Sequence, residues 1–328
     1  MFPLFHLSPL TGLVTLFTSG FGSGVGWIET IKLATPLLII AIGLSVPFTA
    51  KFWNIGGQGQ FIFGEIFATW TGLMLAPSFP PAVVILISLA MGFIGGAIWA
   101  IPPTLMKLYA GTNEIITTLM MNFVAVYVLS YLLIGPMQGA QAKLVDAPAS
   151  NPIPSADMLP KLIPSLDLTA GIIVALVLAV VFFIILQYTN FGYELKIIGS
   201  SESGAKYAGI NSKRDILLSM VISGGIAGIA GMVMVFGTTQ LLIPQFFSDI
   251  ATSYGYVGIP VALVASLNPI AIIASAIFLA GILNGAYVME AIYSVPIDVV
   301  IAIYGIIMLF SMIGVMTDVF DRLKRWLK

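Results

Sequence analysis

Apolar segments of about 20 residues recur along this chain, and they constrain its fold more than any other feature. A helix needs roughly 20 mostly apolar residues to cross the hydrocarbon core of a bilayer. Nine such spans are predicted, at about 31–50, 55–76, 82–106, 113–135, 170–189, 214–236, 253–268, 270–290 and 295–316. The chain is only 8% charged, against about 25% in a typical soluble domain. We therefore predict an all-α, polytopic transmembrane helical bundle that is surrounded mostly by lipid.

The seventh predicted span, 253–268, differs from the others. It is short, and it contains Gly255, Gly258 and Pro260. Irregular backbone at membrane depth is tolerated only where other protein segments or a water-filled cavity surround it. This segment is therefore predicted to be a short or broken helix among the other helices.

The distribution of lysine and arginine predicts the orientation of the bundle. With the C-terminus inside, ten basic residues lie on the inner side, namely Lys51, Lys107, Lys196, Lys206, Lys213, Arg214, Arg322, Lys324, Arg325 and Lys328. Only Lys32, Lys143 and Lys161 then lie on the outer side, and this bias is the usual one. Residues 1–30 are predicted to be an outer N-terminal segment, 31–316 the transmembrane domain, and 317–328 a basic cytosolic tail.

Two predicted loops are long enough to contact other proteins. The outer loop, about 136–169, is rich in proline and is expected to form extended surface. The inner loop, about 190–213, is polar and charged, and its stretch Glu202–Ala208 is compatible with a short helix. This inner loop is predicted to dock a partner.

Several function classes are excluded by what the sequence lacks. It contains no G-x-x-x-x-G-K-[ST] phosphate loop, so the chain is not expected to bind ATP by that mechanism. It has no cysteine and one histidine, His6, so neither a metal site of several ligands nor the usual nucleophilic catalysis is expected. A net charge of −1 provides no basic surface for nucleic acid.

Polar side chains within the predicted spans are the candidates for a substrate path. Placing the carboxyl group of Glu65 near mid-membrane costs about 2.5–3.5 kcal/mol, so it is expected to face the bundle or a water-filled path. Its role is either to contact a substrate or to bond a neighbouring helix. The neutral candidates are Asn54, Gln58, Gln60, Asn122 and Asn284. They suit a neutral polar substrate, although such amides also hold helices together.

Small residues recur at helical spacing on several spans. The repeats are Gly92 with Gly96, Gly224 with Gly228, Gly281 with Gly285, and the series Ser223, Ala227 and Gly231. Because small residues let helices approach closely, these stripes are predicted to serve packing alone.

Three stretches of this chain carry motifs of a known kind, and the first, Asn54–Gln60, reads N-I-G-G-Q-G-Q. It resembles the N-I-G-x-x-G-Q signature of nucleoside-type ABC importer permeases, a branch of a family that also includes simple-sugar and branched-chain amino acid permeases. Asn113–Asn122 reads N-E-I-I-T-T-L-M-M-N and resembles its N-E-[VI]-I-x-T-x-M-x-N helix. The run from Phe191 to Lys196, with Ala205–Ile210, resembles the inner loop that docks the ATPase.

The resemblance implies a permease subunit in a prokaryotic cytoplasmic membrane. Two such subunits, identical or homologous, would pair with two ATP-binding cassette ATPase subunits and an external substrate-binding lipoprotein, and ATP would be used by the partner. The residues implied in ATPase coupling are Gly192, Glu194, Lys196, Gly199, Glu202, Ala205, Gly209 and Ile210. Nucleosides are the expected substrates, with simple sugars or branched-chain amino acids as alternatives. A stand-alone secondary transporter or channel, and a membrane scaffold without transport, are the alternatives of other classes.

Overall fold

The structure, a computed structural model, describes residues 9–140, 148–245 and 253–293 together with single residues between 296 and 310. Eleven α-helices and one two-stranded sheet lie in the described part of the chain. The helices are α1 Pro9–Phe21, α2 Gly24–Thr49, α3 Gly57–Leu75, α4 Pro81–Ala110, α5 Glu114–Ile134, α6 Gly171–Tyr188, α7 Asn190–Ser200, α8 Glu202–Tyr207, α9 Ser212–Met234, α10 Tyr254–Val264 and α11 Pro269–Tyr293. The strands are β1 Lys161–Ile163 and β2 Leu168–Thr169.

Six of these helices, α2, α4, α5, α6, α9 and α11, are long and apolar enough to cross a membrane. The helix α3 lies where the second span is predicted, and its polar side chains set it apart from these six. The eight predicted spans from 31 to 290 each coincide with one helix, and the boundaries agree within a few residues except at the start of the first. The ninth predicted span, 295–316, and the tail 317–328 lie almost entirely outside the described residues.

The helix α2 forms the centre of the bundle. Every residue from 34 to 48 is buried, and a helix that is apolar on all sides is expected in such a position. The helices α9, α10 and α11 pack around it, and the Cβ of Ile226 on α9 closely faces Gly43. The core of the protein therefore surrounds α2, and the less buried helices α5 and α6 lie further out.

The predicted small-residue stripes pack helices together, as expected. Gly92 and Gly96 on α4 face Gly224 and Gly228 on α9, where an added Cβ at Gly96 would overlap the carbonyl oxygen of Gly224. An added Cβ at Gly64 on α3 would overlap the backbone of Gly228. Three helices thus meet at backbone distance around Gly228, which fixes the position of the polar helix α3.

The segment 1–30 contains more structure than the sequence predicts. The helix α1 packs along α11, because Gly281 accommodates the ring of Phe21 and Gly285 accommodates the backbone of Leu16. The helix α2 begins at Gly24 rather than near residue 31, and Ser23 caps it by accepting a hydrogen bond from the Gly26 N–H at 3.0 Å. The helix α1 is therefore part of the bundle.

The long loop between α5 and α6 carries the small sheet. Strands β1 and β2 pair antiparallel, and the ammonium of Lys161 donates a hydrogen bond to the carboxylate of Asp167. This bond lowers the pKa of the exposed Asp167 carboxyl group. The backbone N–H of Ile153 donates to the carbonyl oxygen of Gln240 at 2.7 Å, so the loop is attached to the segment that follows α9.

The predicted short seventh span is the helix α10, which has 11 residues and contains Pro260. At 1.5 Å per residue it is about 16 Å long, roughly half the thickness of a bilayer core. Ser266 and Leu267 adopt positive φ angles of 50° and 62°, and this turn reverses the chain into α11. The helix α10 therefore begins inside the bundle, beside α3.

Candidate functional site

The turn that precedes α3 is held by a buried cluster of amide side chains. Asn54 Nδ2 donates to Gln60 Oε1 at 2.9 Å and to Ser223 Oγ at 3.0 Å, and Gln60 Nε2 donates back to Asn54 Oδ1 at 3.1 Å. The Gly56 N–H also donates to Asn54 Oδ1, at 3.0 Å. Asn54 and Gln60 are 0% and 1% exposed. These two predicted path residues therefore attach the turn to α9 in this structure.

A third predicted path residue, Asn122 on α5, extends this cluster. Its Oδ1 accepts from the Gly59 N–H at 2.8 Å, and its Nδ2 donates to Ile55 O and to the Tyr256 hydroxyl, each at 2.9 Å. An added Cβ at Gly59 would lie 2.7 Å from Trp99 Nε1. Glycine is thus required where the motif crosses α5 and α4. We call Asn54, Gln60, Asn122 and the backbone they bind the turn cluster.

A cavity of about 340 Å³ lies on the neighbouring face of α3. Gln58, Phe61 and Glu65 line it from successive turns of this helix, and Gln58 and Glu65 are both predicted path residues. The remaining polar lining residues are Thr239, Gln245 and Ser253, and the other aromatic ones are Tyr254 and Tyr287. The volume is within the range of about 300–1,000 Å³ that is usual for small-molecule sites.

One hydrogen-bonded chain of side chains crosses this cavity. The Gly255 N–H donates to Gln58 Oε1 at 2.8 Å, and Gln58 Nε2 donates to Gln245 Oε1 at 2.7 Å. Gln245 Nε2 then donates to Glu65 Oε2 at 3.1 Å. We call Gln58, Glu65 and Gln245 the cavity cluster. It joins α3, the start of α10 and the segment 241–245.

The cavity lining combines polar and aromatic side chains with the apolar residues Met234, Leu241, Ile243 and Pro244. Among the described residues that line it, Glu65 is the one ionisable carboxyl group, and none is basic. The rings of Phe61 and Tyr254 lie 5.9 Å apart between centroids, within the range of favourable aromatic packing. The buried hydroxyl of Thr239 has no hydrogen-bond partner in the described part of the chain. Such a wall suits a flat, uncharged, hydrogen-bonding solute.

The backbone of α9 changes where it reaches the cavity. Residues Val235–Thr239 form a π-helical turn, and Gln240 follows with a φ of 62°. Turns of this kind often occur at functional sites, because the extra residue re-aims neighbouring side chains. Here the turn precedes Leu241 and Gln245, which both line the cavity.

Asn284, the last predicted path residue, lies elsewhere. Its Nδ2 donates to Gly26 O at 3.1 Å and to Thr30 Oγ1 at 3.2 Å, which joins α11 to α2. One turn further along α11, Tyr287 lines the cavity instead. The structure thus brings Gln58 and Glu65 to one cavity and places Asn54, Gln60, Asn122 and Asn284 in helix contacts.

The predicted docking loop forms two short helices, α7 and α8. Gly192, Gly199 and Ala205 are buried, and an added Cβ at Gly199 would overlap the carbonyl oxygen of Thr49 at the end of α2. Gly209 adopts a φ of 75°, which favours glycine. The Ile210 N–H donates to the carbonyl oxygen of Ala205 at 3.0 Å. These residues hold the loop against the bundle.

The charged residues of this loop differ in exposure. Glu194 lies 3.6 Å from Arg214 at the start of α9, and Lys196 Nζ donates to Gln187 Oε1 on α6 at 2.8 Å. Glu202 is exposed, and the side chain of Tyr207 is 96% exposed. The helix α8 therefore presents polar and aromatic groups outward, while α7 attaches to the bundle.

Two residues that sequence reasoning did not single out are central to these sites. Gln245 bridges the cavity cluster, and no helical or motif pattern marks it. Asp215 on α9 is fully buried, and its Oδ1 accepts from Arg214 Nε at 2.9 Å. Arg214 thus contacts both Glu194 of α7 and Asp215. The helix α9 extends about 30 Å from there to Met234 at the cavity.

Comparison with known proteins identifies the family of this chain. Residues 27–312 match the family described as "Branched-chain amino acid transport system / permease component". The chain is 31% identical over 290 residues to the nucleoside ABC transporter permease protein NupB of Lactococcus lactis, an alignment that covers 86% of this chain and 78% of that one.

Two further relatives have similar coverage. The chain is 30% identical to the guanosine ABC transporter permease protein NupP of Bacillus subtilis, over 92% of this chain and 85% of that one. It is 27% identical to the glucose ABC transporter permease protein TsgB13 of Haloferax volcanii, over 93% of this chain and 80% of that one.

Proposed function

The chain belongs to the family of branched-chain amino acid transport system permease components, and from that membership we propose that it is the permease subunit of an ABC importer for nucleosides. The observation that carries the substrate class is the cavity beside α3. Its described walls combine three aromatic rings, two carboxamides and one carboxyl group without a basic side chain. A nucleoside offers a flat base for the rings and polar edges for the amides.

The names of similar proteins support the same substrate class. Two relatives at 31% and 30% identity are named as nucleoside and guanosine permeases. The glucose permease relative, at 27% identity, keeps a sugar as the second candidate. A sugar would use the polar groups of the cavity but would leave Phe61, Tyr254 and Tyr287 without a flat partner. Branched-chain amino acids are the third candidate, and their carboxylate group would find no basic partner in the described lining.

The proposal includes a membrane topology. Six apolar helices, the polar helix α3, the half-length helix α10 and the apolar stretch 295–316 together make about nine spans. The excess of lysine and arginine on one side supports a C-terminus inside the cell and an outer position for the turn between α1 and α2. The transmembrane domain would cover residues 31–316 in a prokaryotic cytoplasmic membrane, with the outer loop at 136–169 and the basic tail 317–328 inside.

The proposal also includes partners. ATP would be hydrolysed by cassette ATPase subunits, a second permease subunit would complete the path, and an external lipoprotein would deliver the substrate. The helices α7 and α8 would receive the ATPase, because α8 exposes Glu202 and Tyr207. Arg214, which contacts Glu194 and Asp215, would pass movement of this loop to α9.

Competition uptake tests the substrate class. The chain is reconstituted with its ATPase and binding-protein partners, and ATP-driven uptake of labelled inosine, ribose, glucose and leucine is compared. We expect inosine uptake that unlabelled nucleosides suppress. Uptake of a sugar or of leucine without nucleoside uptake would contradict the proposal, and uptake by the purified chain without ATP would favour a stand-alone carrier.

Charge reversal on α8 tests the docking surface. We expect Glu202→Lys to lower nucleoside-coupled ATP hydrolysis about tenfold, because it places a lysine where the partner meets an exposed carboxylate, and each 1.4 kcal/mol of lost contact is a factor of ten. Membrane insertion should not change. Glu29→Lys, at the other end of the bundle, is the matched control. Equal stimulation of ATP hydrolysis in Glu202→Lys and the wild type would remove α8 from the coupling path.

A further inference from the structure

The cavity cluster has a defined hydrogen-bond direction. The backbone N–H of Gly255 can only donate, so the Gln58 atom that it contacts at 2.8 Å must be Oε1. The other end of the Gln58 carboxamide, Nε2, is then the donor that points to Gln245. Because Nε2 can only donate, Gln245 must turn its Oε1 toward Gln58 and its own Nε2 toward Glu65.

The α3 wall of the cavity therefore presents one donor and one acceptor that a single carboxamide bridges. The donor is Gln58 Nε2 and the acceptor is Glu65 Oε2, and both side chains project from α3. Gln245 meets these two groups at 2.7 Å and 3.1 Å. It lies in a non-helical segment and is only partly buried. Its carboxamide is thus not held by helical backbone, whereas the two groups that it contacts project from a helix.

We propose that the Gln245 carboxamide occupies the place of the substrate's polar edge, and that the cavity selects solutes with an adjacent hydrogen-bond donor and acceptor. This inference rests on the proposed function and specifies its chemistry. A lactam or amino-imine edge of a nucleobase carries the same pair as a carboxamide. The N–H of such an edge would donate a hydrogen bond to Glu65 Oε2. Its acceptor atom would accept a hydrogen bond from Gln58 Nε2.

The aromatic side chains beside this pair indicate that the polar edge of the substrate belongs to a flat ring. Phe61 lies between Gln58 and Glu65 on the same face of α3, and Tyr254 lies 5.9 Å from it between ring centroids. A base whose edge meets Gln58 and Glu65 therefore has aromatic neighbours beside its plane. Inosine, with N1–H next to O6, has the required pair. Purine riboside has the same sugar as inosine and nearly the same size, but it lacks the N1–H donor.

The experiment compares these two nucleosides in the reconstituted transporter, with one binding protein throughout. We expect the wild type to prefer inosine over purine riboside in kcat/KM. Glu65→Leu should reduce that preference by about fivefold to a hundredfold, because an unpaired buried donor costs about 1–3 kcal/mol. Glu65→Gln retains an acceptor oxygen and should keep most of the preference. Glu114→Gln, a carboxyl substitution away from the cavity, should leave it unchanged.

A second variant, Gln245→Ala, tests the inference even if Glu65→Leu transports nothing. Gln245→Ala removes the internal competitor, so the KM for inosine should fall severalfold, whereas a Gln245 that binds substrate would make the KM rise. A rise in this KM, or a wild type that takes up purine riboside as well as inosine, would overturn the inference alone. A wild type that takes up another solute and no nucleoside would overturn the proposed function and this inference with it.

Discussion

The turn cluster and the cavity cluster both use amides near the start of α3, yet their hydrogen bonds differ in kind. In the turn cluster, Asn54 and Gln60 bond each other, and further bonds go to α9 and to the backbone. Neither residue lines the cavity beside α3. In the cavity cluster, Gln58 and Glu65 are joined through Gln245, which comes from a non-helical segment.

This difference separates two uses of buried polar groups in a membrane protein. A buried amide without a partner is costly in lipid, so every amide needs one. Where the partners are backbone and neighbouring helices, the bonds define the fold. Where the partner is a side chain from a non-helical segment beside a cavity, a solute can replace it. Three substitutions test this distinction through their effects on stability.

Asn54→Leu should produce the largest loss of stability. It removes the partner of the Gly56 N–H and of both ends of the Gln60 carboxamide. Breaking such a buried network costs about 2–3 kcal/mol, at the upper end of single substitutions. Thermal unfolding in detergent, followed by size-exclusion fluorescence, measures the effect. An unchanged unfolding temperature would show that the turn cluster does not hold the fold.

Gly59→Ala should have the next largest effect. The new methyl group would lie 2.7 Å from Trp99 Nε1 and 3.1 Å from Asn122 Oδ1. The Trp99 ring cannot withdraw easily, because it stacks on Phe63 at a centroid distance of 3.6 Å. Overpacking of this kind costs about 1–3 kcal/mol. Gly24→Ala is the control, since nothing lies within 4 Å of a Cβ there, and equal stability of the two variants would contradict the packing argument.

Glu65→Leu should have the smallest effect on stability while it impairs transport. The variant loses one hydrogen bond from Gln245 but also removes a buried carboxyl group that is costly at membrane depth. We expect the free energy of unfolding to change by no more than about 1 kcal/mol. The same thermal assay, with Asn54→Leu alongside, provides the comparison. A loss as large as that of Asn54→Leu would place Glu65 in the fold-defining class.

The sequence predicted most of the fold because spans are marked by local composition. The half-length helix α10 was expected from Gly255, Gly258 and Pro260 within a short apolar segment, and it begins at Tyr254. The stretch before residue 31 is predicted only as an outer segment, whereas the structure shows a 13-residue helix there, α1, that packs in the bundle. Its place is set by Gly281 and Gly285 of α11, which are distant in sequence.

The predicted path residues could not be sorted from the sequence, since all were amides or acids in apolar surroundings. Helical spacing alone indicates which of the predicted residues on α3 share a face. Gln58, Phe61 and Glu65 recur at three and four residues and share one face of α3, whereas Gln60 points elsewhere. Nothing local marked Gln245 or Asp215. Their roles arise from contacts with Glu65, Gln58 and Arg214.

The apolar character and order of the helices that coincide with the eight predicted spans between 31 and 290, and the polar character of α3, follow from the amino-acid sequence alone. The reason is that the free energy of transfer from water to lipid adds up residue by residue along each segment. The role of each polar residue is not a sum of local contributions of this kind. Whether an amide holds the fold or faces a solute depends on its partner, and the partner of Gln58 is 187 residues away. Only packing around α2 and Gly228 brings such pairs within hydrogen-bonding distance, so the cavity is a property of the folded bundle.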